Sequence, residues 1–160
     1  MDDRGYRNLM KLVSLTCTGD FPYLPCVERD SLRQYNEGLI CLTGCEKGEI
    51  PSAILANDEQ QAEMLIGEYH DIFQDRLYIE LQNNNLVEQR LLNEKLIGLA
   101  DCHRIPCVAT NNCHYLNREE ARAHQLLQCL SMGKTMNDKD HPVLRSDQFH
   151  FKSAQEMEVP

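Results

Sequence analysis

Leu77-Tyr78-Ile79-Glu80-Leu81 decides the fold, because this apolar run stands between two segments whose apolar residues recur at helical spacing. Upstream, Ala62, Leu65, Ile66, Tyr69, Ile72 and Phe73 share one face of a helix that opens at Asn57 as N-cap, with Gln60 completing a capping box. Downstream, Asn83, Asn84 and Asn85 form a turn, and a helix from about Val87 to Ala100 buries Leu91, Leu92, Leu96, Leu99 and Ala100. Two further strands flank this unit. Gly38-Leu39-Ile40-Cys41-Leu42-Thr43 is nearly continuous in apolar residues, as in a strand buried on both faces, and Ile105 to Thr110 is the other. Helices are expected over Tyr6 to Leu15, with Leu9, Leu12, Val13 and Leu15 as the apolar stripe, over Ser31 to Tyr35 with Asp30 as cap, and over Arg118 to Ser131. The first should stop near Gly19, and Pro22 and Pro25 mark an irregular stretch. Alternating strands and helices with short connections predict parallel strands joined by right-handed crossovers, an α/β fold.

Three strands make a thin sheet and do not close a barrel, so the chain is expected to be incomplete. The segment from Gly133 to Pro160 points the same way: it holds strand-like Gln148-Phe149-His150-Phe151-Lys152 and stops within helix-like Ala154-Gln155-Glu156-Met157. With 160 residues, 42% hydrophobic and 26% charged, the composition is that of a globular domain with a real core. Sixteen Lys and Arg against 25 Asp and Glu give a net charge of −9, which excludes a simple electrostatic grip on nucleic acid. No apolar run approaches the roughly 18 residues of a membrane span, and Met1-Asp2-Asp3-Arg4-Gly5 has neither the basic nor the hydrophobic part of a signal peptide. A cytoplasmic location without membrane contact is expected. The eight cysteines therefore read as free thiols, with Cys41, Cys102, Cys107 and Cys129 beside aliphatic residues as small buried hydrophobes.

Ligands of α/β sheets collect at the carboxyl ends of the strands. Those ends deliver Thr43-Gly44-Cys45, Glu80-Leu81-Gln82 and Asn111-Asn112-Cys113-His114, so Cys45, Cys113 and His114 could meet at one rim. Thiolate and imidazole suit zinc; equally, Cys45 could cap a strand and His114 hydrogen-bond at a turn. The spacing of Cys102, His103, Cys107, Cys113 and His114 does not match a zinc finger, and no thiol has a base placed against it for nucleophilic catalysis. Thr43 to Glu49 lacks the Gly-Lys-Ser or Gly-Lys-Thr ending of a phosphate loop. Asp58-Glu59 and Glu119-Glu120 stand at helix N-termini, where carboxylates favour the dipole, while Glu80 is the unusual carboxylate inside an otherwise apolar strand.

Read in order, several segments resemble the polymerase-and-histidinol-phosphatase (PHP) domain at the front of bacterial replicative polymerase alpha subunits. They are Gly5 to Leu9 with Leu12 and Ser14, Gly38 to Glu49, Tyr78 to Gln82, Gln89 with Asn93, Ile105 to Leu116, His124 with Leu127, Gly133-Lys134, and Phe149 to Met157. The resemblance implies the later part of a distorted seven-stranded β/α barrel over residues 1–132, with 133–160 leading towards a polymerase palm. The ligand positions it carries over are Cys45, Asn112 and His114, for zinc or manganese. The family usually has Asp where Asn112 stands, and a neutral amide is a poorer ligand and no base. The family's opening His-x-His motif has no counterpart. The resemblance thus implies a non-catalytic scaffold within a DNA polymerase. It would bind the remainder of that chain and dock a proofreading exonuclease, and it would meet DNA only through other domains. A metal-dependent phosphoesterase or 3'-5' exonuclease is the alternative, and a thiol-based binding module the second.

Overall fold

A computed structural model describes residues 2–18 and 26–158; the expected stop at Gly19 and the irregular stretch at Pro22 and Pro25 lie outside them. Three parallel strands, β1 (Cys41–Leu42), β2 (Leu77–Gln82) and β3 (Cys107–Thr110), form a sheet in the order β1-β2-β3. Cys41 pairs with Leu77, and Ile79 to Gln82 pair with Cys107 to Thr110. Around it stand α1 (Asp3–Thr18), α2 (Arg29–Tyr35), α3 (Glu49–Leu55), α4 (Glu59–Phe73), α5 (Val87–His103), α6 (Ala121–Ser131) and the short α7 (Ala154–Met157). The mixed α/β class and the parallel sheet are as the sequence predicts.

The core lies on one side of the sheet. Ile50 and Ile54 of α3, Leu65, Ile66 and Phe73 of α4, and Leu92 and Leu96 of α5 close over Leu77 and Ile79 of β2. Alternation along β2 turns Tyr78, Glu80 and Gln82 to the opposite face, beside Leu42, Val108 and Thr110 of the neighbouring strands. That face is half-buried at best, and Leu42 is 43% exposed. The reading of Gly38 to Thr43 as a strand buried on both faces is therefore corrected: only two residues pair, at an edge, and Ile40 is exposed because the helices cover one face alone.

Other departures have local causes. Helix α1 buries Gly5, Asn8 and Leu12, whereas Leu9, Val13 and Leu15 of the expected stripe are exposed. The inward face is hidden from hydropathy because it contains a glycine and an asparagine. An unforeseen helix, α3, is followed after Ala56 by Asn57 in the left-handed region at φ 57, so Asp58 rather than Asn57 caps α4, accepting from the Gln61 amide at 3.0 Å. Helix α2 starts at Arg29 after Glu28, without a side-chain cap from Asp30. Arg29 instead pairs with Glu49 at 2.6 Å and Glu68 at 3.0 Å, joining α2 to α3 and α4. Leu91 of α5 is exposed, and residues 148–152 form a single parallel bridge, Tyr115 to His150, in place of a strand.

Two contacts seat β1. Arg76, between α4 and β2, donates to the carbonyls of Asn36 and Leu39 at 2.6 and 2.8 Å and to Asn36 Oδ1 at 2.9 Å. It thereby satisfies the bend before β1 with one guanidinium fork. Gly38 takes φ +75, and a Cβ there would lie 2.4 Å from Asp2 Oδ1 and 2.6 Å from the Gly5 nitrogen. The backbone of α1 can thus touch the bend only because both residues are glycine. Gly38→Ala should lose about 3 kcal/mol in urea denaturation, from left-handed strain plus the backbone clash. Gly98→Ala, in α5 with nothing within 4 Å of the new Cβ, should gain about 0.5–1 kcal/mol; equal effects of the two changes would contradict this packing.

Candidate functional site

The carboxyl ends of the strands form a polar rim, and its geometry starts from Thr43, Glu80 and Thr110. Thr43 Oγ1 accepts from the Glu80 amide at 2.9 Å, tying the end of β1 to β2. Glu80 Oε1 accepts from Thr110 Oγ1 at 2.5 Å and from Gln82 Nε2 at 2.9 Å, so the unusual carboxylate spans β2 and β3 on the open face. Gln82 Oε1 is buried without a partner among the described residues.

Cys45 follows β1 in a tight loop. A side chain at Gly48 would meet the Thr43 carbonyl at 2.3 Å, and the Gly48 amide donates to the Cys45 carbonyl at 2.8 Å. The half-buried Cys45 lines a narrow cleft with Glu46, Glu80, Gln82, Gln89 and Asn93. Neither its side chain nor that of half-buried Asn112 hydrogen-bonds to another described residue. The exposed His114 sits elsewhere, its ring 5.0 Å from that of His124 and 5.4 Å, edge-on, from Phe149. Burial, and then the neighbouring His114, hold the His124 imidazole below its ordinary range. The cleft around Cys45 includes neither Asn112 nor His114. Among the described residues no three His, Cys, Asp or Glu side chains stand together as a group able to hold a metal ion. One thiol, one amide and one imidazole do not fit a two- or three-ion centre, which needs carboxylates to balance the charge.

The residues that organise this rim are ones that motif reading passes over. Asn84 is fully buried and uses every polar group it has. Its amide N–H donates to Gln89 Oε1 at 2.7 Å, and its Oδ1 accepts from Gln89 Nε2 at 3.2 Å. Its Nδ2 donates to Asn111 Oδ1 at 2.6 Å and to the Gln148 carbonyl at 2.9 Å, while its carbonyl accepts from Ser146 Oγ at 2.5 Å. Asn111 in turn donates to the His150 carbonyl at 2.6 Å. The triple Asn83-Asn84-Asn85 is the only sequence signal, and it reads as a turn. Beside this network a cleft of about 480 Å³ opens between α5, the end of β3 and α7, lined among others by Asn83, Arg90, Asn93, Lys152 and Glu156. Lys152 donates to the Asn83 carbonyl at 2.6 Å, and burial lowers its amine below the ordinary range.

All eight cysteines are unbridged, as expected of free thiols. Cys129 is buried and Cys41 half-buried, where burial pushes the thiol up to about 11. Cys102 and Cys107 are exposed, against the expectation.

No described helix is long and apolar enough to cross a membrane. The PHP-domain family model matches residues 1–84. The DNA polymerase III subunit alpha of Borreliella burgdorferi is 35% identical over 98% of this chain and 14% of its own length. That of Aquifex aeolicus is 42% identical over 86% of this chain and 12% of its own, and that of Thermus aquaticus 38% over 98% and 13%. The chain thus spans 12 to 14% of the length of these relatives. The matched segment contains α1 to β2, the glycine contact at Gly5 and Gly38, and the Cys45 loop: the chain belongs to the PHP-domain family.

Proposed function

We propose that this chain is the PHP-domain portion of a cytoplasmic DNA polymerase III alpha subunit, acting in replication as a scaffold and docking body and not as a hydrolase. The observation that carries the reading is the one-sided sheet. Parallel strands are normally covered on both faces. Here the face of Tyr78, Glu80 and Val108 is half-buried, both β1 and β3 are edges, and α1 presents exposed Tyr6, Leu9, Met10 and Val13 at helical spacing. Three neighbouring strands of a closed seven-stranded β/α barrel would look like this, with the remaining strands covering the open face and the edges. The remainder of the polymerase chain is the first partner in this reading, and a proofreading exonuclease a second. DNA is met through other domains, in keeping with the net charge of −9.

The donor chemistry supports a scaffold over a metal-dependent phosphoesterase or 3'-5' exonuclease. Cys45, Asn112 and His114 offer too little negative charge for a multi-ion centre, and His114 stacks on His124. Zinc or manganese held at this degenerate site would therefore be bound weakly, and no catalytic step is assigned to it.

Two measurements test the reading. The isolated chain should bind a hydrophobic dye such as ANS in its native state and unfold in urea with a shallow transition; a sharp monomeric transition without dye binding would contradict the open-barrel account. With added manganese or zinc it should not hydrolyse bis-p-nitrophenyl phosphate above the metal blank. Hydrolysis by the wild type that vanishes in both Cys45→Ala and His114→Ala would replace the scaffold with a phosphoesterase.

A further inference from the structure

Two cations are drawn to one end of the 480 Å³ cleft between α5, the end of β3 and α7. Arg90 donates to Asn85 Oδ1 at 3.2 Å and Lys152 to the Asn83 carbonyl at 2.6 Å, so both side chains are tied to the same three-residue turn. Among the described residues neither forms an ion pair, and most of their N–H donors are unused. We propose that this cleft binds small organic anions, with a carboxylate or phosphate head between Arg90 and Lys152 and an apolar body against Ile97 and Met157.

The carboxylates in the lining do not cancel the cationic end. Glu156 has its oxygens taken, Oε2 by the Ser153 amide and hydroxyl at 2.8 Å each and Oε1 by His150 at 3.2 Å. Glu94 stands one helical turn beyond Arg90 on α5, away from the Asn83 to Asn85 turn. In a chain of net charge −9 this is a local excess of positive charge inside a concavity, which draws in an anion. Two turns past Arg90 the wall becomes apolar, with Ile97 43% exposed and Met157 of α7 facing the same cleft. A volume of this size, with an apolar wall and a few convergent polar groups, is that of a small-molecule site. Its second wall is already in place. The arm that carries Lys152 and α7 is stitched to the rim by His114 N–H to the Phe149 carbonyl at 2.7 Å and Phe151 N–H to the Tyr115 carbonyl at 3.0 Å, and Ser153 and Glu156 close a capping box on α7. A ligand therefore meets a preformed cleft and orders little on entering it.

Four probes separate the parts of the site in an NMR titration of the full chain. Phenyl phosphate and benzoate share the apolar body and differ in the head; inorganic phosphate and benzyl alcohol each keep one half. At least one of the two aromatic anions should shift the Asn93 and Thr110 amides saturably, leave Ile79 in the core sheet unmoved, and bind about tenfold more tightly than either half alone. Binding of both marks a site for anions in general, and binding of one alone assigns the head as phosphate ester or carboxylate. Arg90→Gln, at an exposed helix position, should weaken the binding by about tenfold, as should Lys152→Gln, which keeps a donor for the Asn83 carbonyl. Glu94→Gln should strengthen it. No saturable shift with either anion, benzyl alcohol binding as tightly as the anions, or an affinity unchanged in Arg90→Gln would overturn the proposal.

Discussion

One buried asparagine fixes the rim on which any function of this domain rests. A polar side chain removed from water costs about 1–3 kcal/mol for each group left unpaired, so Asn84 is tolerable only because each of its donors and acceptors is met. The geometry that meets them is demanding. Gln89 must come from the first turn of α5, Asn111 from the end of β3, and Ser146 and Gln148 from the segment that returns across the strand ends. Parts of the chain distant in sequence are thus brought to one point, and the turn carrying Asn112 and His114 inherits its position from Asn111.

This division of labour separates two kinds of cohesion. The body from α3 to β3 is held by apolar burial, with Ile50, Ile66, Leu77, Ile79 and Leu96 nearly inaccessible. The segment from Gly133 to Met157 buries little, and is held by directional bonds: Arg118 to Asp147, Ser146 to Asn84, Lys152 to Asn83, His150 to Glu156. Directional bonds of this kind specify a position without much net stability, and several depend on charge. The arm over the rim is therefore the part most able to respond to conditions, while the sheet beneath it stays fixed.

Only interactions that leave a periodic trace are legible in the sequence. The face of α4 through Ala62, Leu65, Ile66, Ile72 and Phe73, and the run Leu77 to Leu81, are apolar at regular spacing, and both elements stand where expected. Helix α1 fails that test because it approaches its neighbours through Gly5 and Asn8, a backbone contact and a hydrogen bond from Asn8 Nδ2 to the Glu37 carbonyl at 2.9 Å, which hydropathy does not register. The cap moves from Asn57 to Asp58 because Asn57 is the left-handed residue of the turn that leaves α3, a helix too short to show a pattern. At the site, motif order points to Cys45, Asn112 and His114 and to the family, whereas Asn84 and His150 act through partners more than 60 and 30 residues away respectively. Pairings of that kind exist only once the chain has folded.

The organisation of the rim stands or falls on Asn84, and the change that isolates it is Asn84→Asp. The substitution keeps size and acceptor but removes the Nδ2 donor, leaving Asn111 Oδ1 and the Gln148 carbonyl facing a buried carboxylate. Urea denaturation of wild type and variant, followed together with the exchange of the His114 and Phe151 amides, measures both halves of the claim. The expected result is a loss of about 3 kcal/mol or more with the two amides unprotected. A change under about 0.5 kcal/mol with protection intact would contradict it, and would place the organisation of the rim in residues other than Asn84.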